Sequence, residues 1–124
     1  MSKKQSRRTR RFARKLANRC ITLLESGKWR VMYIDMDGRP EVCLPYGLDH
    51  KAVGTCDYAK KTLFIDFRRD VISTLVHELL HARFPDWPES LVAEREKTVM
   101  EYLSPRQARK LHLAMGRWLA VPGE

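Results

Sequence analysis

Apolar residues recur along the chain with two different periods. From Arg11 to Glu25 the residues Phe12, Leu16, Ile21, Leu23 and Leu24 return at roughly helical spacing, and Gly27 stands where helices usually stop. The period then falls to two. Trp29, Val31 and Tyr33 alternate, Asp37-Gly38 is a strong two-residue turn, and Glu41 to Leu44 is the predicted return strand of a hairpin. Pro40 limits pairing at the start of that return. "GTCDYAKKTLFIDF" (54–67) predicts a second pair of short strands around Ala59-Lys60-Lys61. Asp70 is placed to cap a helix running to about Arg83, where Pro85 and Pro88 break it. A further helix is predicted from Glu89 to Leu103. Ser104-Pro105-Arg106-Gln107 then combines an N-cap Ser, Pro at the first helical position and Gln where a capping box wants it. The last helix runs to about Leu119, with Leu111, Met115, Trp118 and Leu119 as its apolar stripe. The expected order is an N-terminal helix, about four short strands in a small antiparallel or mixed sheet, and three helices, which is an α+β fold.

A length of 124 residues suits one domain with one modest core. Charge divides it. Nine Lys or Arg and no acid lie in residues 1–19, while the rest carries 15 basic and 15 acidic side chains, so the whole net charge of +9 sits at the start. Residues 1–10 are expected to be a basic arm without fixed structure, and 11–124 a single domain. Such an arm attracts phosphates, which makes nucleic acid a candidate partner. Its one aromatic, Phe12, does not indicate base stacking. The blander alternatives are a solubilising tail or a basic helix packed on the protein's own acidic surface. Charge interrupts the apolar positions that a secretory signal would need, and no run approaches a membrane span, so no membrane association is expected. The Arg-rich, acid-free start is also the composition of a mitochondrial transit peptide, the less favoured reading. Cys20, Cys43 and Cys56 form an odd set with no CxxC spacing, the usage of an intracellular, cytoplasmic protein with reduced thiols.

Candidate chemistry is concentrated in "STLVHELLHARFPDWPE" (73–89). At about 100° per residue, His81 lies roughly 40° from His77, while Leu75, Leu79, Ile72, Val76 and Leu80 fill about 160° to 300°. One face is apolar and the two imidazoles emerge together on the other, where both can address one ion. Glu78, at about 100°, is placed to reach a water on that ion but poorly placed to be a ligand itself. Zinc with three protein ligands keeps an open position and lowers the pKa of its water toward about 7, and an adjacent carboxylate can carry the proton to a leaving amine. His77 and His81 are therefore candidate zinc ligands and Glu78 the candidate general base. The downstream glutamates are Glu89, Glu94, Glu96 and Glu101. Glu96 borders the apolar positions Val92, Ala93, Val99 and Met100, so it should point toward the histidine helix. It is preferred as third ligand over Glu94, with Asp86 and His112 as further alternatives and an ion pair to Arg83 or Lys97 as its bland role.

"TLVHELLHARFPDWPE" following "TLFIDF" resembles the small zinc-metallopeptidase-like proteins of phages and bacteria, of the gluzincin type, and more distantly ImmA-type and SprT-type domains. The resemblance covers residues 54–103. It implies zinc on His77 and His81, a general base at Glu78, a last ligand from a Glu of the following helix, and a peptide or protein substrate. The ExxAN signature of ImmA-type ligand helices is absent, and the further His of SprT-type domains has no clear equivalent, so the third ligand stays open. The expected function is zinc-dependent peptide hydrolysis. The competing expectation is a non-proteolytic nucleic-acid-binding or interaction protein that keeps the zinc scaffold; a purely structural zinc site would leave Glu78 without a task.

Overall fold

The computed structural model describes residues 2–34, 54–66 and 71–119. Four helices and three strands are formed by these residues: α1 (Lys3–Glu25), β1 (Arg30–Ile34), β2 (Gly54–Asp57), β3 (Thr62–Asp66), α2 (Val71–Arg83), α3 (Glu89–Tyr102) and α4 (Pro105–Leu119). The class is α+β, with a small mixed sheet.

α1 begins at Lys3, eight residues before the predicted start at Arg11, so residues 3–10 are helical where their charge suggested no fixed structure. The cause is local. Ser2 Oγ accepts from the Gln5 backbone N–H (3.1 Å) while the Gln5 side chain accepts from Ser2 N–H (3.2 Å), a complete capping box ahead of a run of good helix formers. The helix stops as predicted, with Gly27 in the left-handed region at φ 73°.

The sheet order is β1-β3-β2. β3 is central, parallel to β1 in the register Val31↔Leu63 and antiparallel to β2 in the register Cys56↔Leu63. The predicted pair around Ala59–Lys61 is β2 and β3. The predicted partner of β1, Glu41–Leu44, lies outside the described residues, as do the Asp37-Gly38 turn and the Asp70 cap. The alternation along β1 holds: Trp29 and Val31 are buried, while Met32 is exposed.

The core gathers where α2 packs on β2 and β3, α4 on β1, and α1 lies against all three other helices, with Leu63, Ile65, Leu75, Leu79, Leu80, Val92, Val99 and Leu111 fully buried. Each such aliphatic side chain contributes about 1.5–3 kcal/mol on leaving water. α4 starts where predicted. Ser104 and Gln107 form the capping box, and the buried Gln107 amide also donates to the Arg14 carbonyl and to Asn18 Oδ1, both at 2.8 Å. The cap of one helix thereby fixes the position of another.

Candidate metal centre

Leu75, Val76, Leu79 and Leu80 anchor α2 completely in the core, leaving one polar edge to face β2 and α3. His77 and His81 share that edge with ring centroids 5.0 Å apart, their side chains 17% and 18% exposed. They are neither surface residues nor sealed in, which suits a ligand that must meet solvent-borne reactants.

After Arg83 the chain reverses within five residues. Phe84 stacks on Trp87, with ring centroids 4.1 Å apart and planes 7° from parallel, and Trp87 N–H donates to the Phe84 carbonyl. This clamp brings the first residue of α3 back beside the last turn of α2. Glu89 Oε1 lies 2.6 Å from His77 Nε2, and Glu89 Oε2 lies 2.5 Å from His81 Nε2. A ligand atom from each of the three residues falls within a span of 4.8 Å.

Glu96, two helical turns on, occupies a different place. Its Oε1 is 3.2 Å from His77 Nδ1, and its Oε2 accepts from the Ser73 hydroxyl at 3.0 Å. The inward orientation expected for Glu96 is found, on the side of the His77 ring away from Glu89. Glu94 is exposed and bonds to neither histidine; Asp86 and His112 are likewise exposed and outside the cluster.

Both ring nitrogens of His77 face carboxylates, Nε2 that of Glu89 and Nδ1 that of Glu96. A cation between Nε2 and Glu89 would take the Nε2 lone pair, while Nδ1 keeps a proton to donate to Glu96. Around tetrahedral zinc, nitrogen and oxygen ligands at 2.0–2.1 Å would stand roughly 3.3 Å apart, a small opening of the Glu89 contacts. Two imidazoles and one carboxylate gathered at the half-buried edge of α2 are a donor set that zinc accepts.

Glu78 is buried, packed beneath β2 where Gly54 passes close to its Cγ and to the Thr74 methyl. Burial raises its carboxyl from 4.5 to about 7; His77 opposes the rise, and the carboxylates of Glu89 and Glu96 add to it. Tyr58, in the β2–β3 turn, donates its hydroxyl to the His81 carbonyl at 2.9 Å and ties the sheet to the end of α2. Burial, then the neighbouring Cys56, holds that phenol protonated at about 12. Cys56 is also pushed to about 12, by burial first and by Glu78 next, and it lies outside the group of His77, His81 and Glu89.

Glu89 is the member that the sequence pattern did not single out. As the first residue of α3, directly after Pro88, it resembled an ordinary acidic residue in a helix's first turn. The spacing Glu89…Glu96 did carry a signal, since seven residues return to the same helical face. No family model matches the chain, and neither curated proteins nor solved structures give a match to it.

Proposed function

We propose that the protein is a zinc-dependent peptidase, with His77, His81 and Glu89 as metal ligands and Glu78 as general base. The observation that carries this reading is the convergence of both Nε2 atoms on Glu89 while Glu96 engages the opposite nitrogen of His77. Zinc bound there would supply a Lewis acid for a peptide carbonyl and acidify water. Glu96, braced by Ser73, keeps the Nδ1 proton and the ring orientation of His77 fixed, the role of a second carboxylate behind a ligating histidine. Glu96, the sequence's preferred third ligand, is thus reassigned to positioning.

Glu78 takes the proton of the attacking water and returns it to the leaving amine. Its carboxyl, raised to about 7, is poised where both steps remain accessible near neutral pH. Burial against β2 holds it in place one position from His77, without requiring it to ligate.

The test is elemental analysis together with peptidase assay of wild type and Glu78→Gln. About one zinc per chain in both, with hydrolysis lost by orders of magnitude only in the variant, is the expected result. Equal cleavage by the variant overturns the assignment of Glu78. Stoichiometric zinc with no cleavage of a broad peptide library by wild type would favour the non-proteolytic scaffold instead.

A further inference from the structure

The two sides of α1 have opposite chemistry. Ala13, Leu16, Ala17, Cys20, Ile21 and Leu24 are buried and cover an arc of about 140° at 100° per residue. The nine cations between Lys3 and Arg19 fill an adjoining arc of about 180°, of which only Lys3 and Arg10, upstream of the core, fall in line with the apolar stripe. Upstream of Ala13 no described residue of the helix is buried, so its first turns run beyond the core.

Among the described residues nothing acidic neutralises this face: no carboxylate pairs with any of the nine cations. Arg14 donates through Nε to the Tyr102 carbonyl, and Arg19 lies 6.0 Å above the Phe84 ring, interactions that leave their charge in place. A surface groove runs along the helix between Arg7, Arg10, Arg11, Arg14, Lys15 and Asn18. The idea of a basic helix packed on the protein's own acidic surface therefore has no support in the described structure.

We propose that this face of α1 is a docking surface for the phosphate backbone of double-stranded DNA, bound without regard to sequence. Lys3 to Arg19 span about 24 Å at 1.5 Å per residue, against one duplex charge per about 1.7 Å, so many phosphates lie within reach of one helix. A helix about 10–12 Å across matches a B-form major groove about 12 Å wide, whereas the major groove of duplex RNA is too narrow to enter. Single strands require aromatic platforms. The one aromatic on α1, Phe12, already has the Arg95 guanidinium 5.0 Å from its ring. A membrane surface requires an apolar face to insert, and the apolar face of α1 is committed to the core; Phe12 is the one large hydrophobic exposed on it.

The full chain is titrated into a fluorescent DNA duplex of roughly 20 base pairs, in two unrelated sequences, across about 50 to 300 mM salt. Binding should weaken steeply with salt and equally for both sequences. A variant with Lys4, Arg7, Arg8, Arg11 and Lys15 changed to Gln should lower the log–log salt slope by roughly 0.9 for each phosphate no longer neutralised. Arg7→Lys, Arg8→Lys and Arg11→Lys together should keep the slope, and a control with Arg106, Arg109 and Lys110 changed to Gln on α4 should leave it unchanged. Single Gln substitutions, each worth about one unit of slope at most, carry the test if the five-site variant loses its helical circular dichroism. A wild-type slope near zero, or one shared by the five-site variant, overturns the proposal. So does tighter binding to duplex RNA or to phosphatidylserine vesicles than to DNA. Zinc occupancy does not enter this measurement, so it stands or falls apart from the peptidase reading.

Discussion

His77 and Glu96 are joined through Nδ1 at 3.2 Å, on the other side of the ring from the contact of Nε2 with Glu89. With the proposed cation between Nε2 and Glu89, Nδ1 would keep its proton for Glu96. The two glutamates of α3 are therefore not interchangeable. Glu89→Gln should lower zinc affinity more than Glu96→Gln does, because it removes the proposed ligand itself. Glu96→Gln should lower it by about 10–100-fold, because the ring is no longer held in orientation. Competition with a chromogenic chelator measures both, and the reverse order would make Glu96 the ligand.

What could be read from the sequence was what short segments determine by themselves. The capping box at Ser104–Gln107, the stop at Gly27 and the division of α2 into apolar and histidine faces are all local, and each is found. The capping box at Ser2–Gln5 was equally local, but the surrounding charge pointed toward disorder. The inward direction of Glu96 was legible from its apolar neighbours. The place of Glu89 was not, because it depends on how tightly the Phe84–Trp87 stack turns the chain. The parallel pairing of β1 with β3 is long-range for the same reason: alternation says that a strand exists but not which strand lies beside it.

Glu78 makes the stability of the metal-free protein depend on pH. Its folded-state carboxyl is raised to about 7 from 4.5, so the folded state keeps a proton that the unfolded state releases. Stability from this group is fully present below about 4.5 and is lost as pH rises toward about 7, a fall on the order of 2–3 kcal/mol. Glu78→Gln should remove this fall while leaving the rest of the profile in place. Urea denaturation of both proteins at pH 4.5, 6 and 7.5 in a chelator measures it, and parallel profiles would contradict the cause.

Gln107 supplies two buried amide hydrogens to acceptors on α1, at Arg14 and Asn18. Gln107→Glu keeps the size and the capping oxygen but sets a carboxylate against two oxygens. The expected loss is about 2–3 kcal/mol of unfolding free energy, since neither acceptor then has this donor and a charge is buried. Gln107→Ala should cost less, about 1–2 kcal/mol, as the cap is removed without a new buried charge. Equal stabilities by chemical denaturation would show that this junction does not hold α1 to α4.

At Gly54 the sheet packs so closely on α2 that no room is left for a side chain. A β-carbon there would lie 2.6 Å from the Thr74 methyl, 3.1 Å from the Phe64 carbonyl oxygen and 3.2 Å from Glu78 Cγ. Neither of the first two can give way easily: Thr74 is buried on α2, and the Phe64 oxygen is backbone of the central strand. Gly54→Ala should therefore cost about 1–3 kcal/mol through overpacking and push α2 away from β2. Because Glu78 and Thr74 share that approach, the displacement reaches the proposed general base, so hydrolysis should fall further than the stability loss explains. Thr74→Ser removes the methyl that clashes hardest, and the double variant should be less destabilised than the two single changes added together. A thermal-unfolding cycle over the four proteins reads this coupling, and strict additivity would mean that the close packing of Gly54 on Thr74 does not set the distance between sheet and helix.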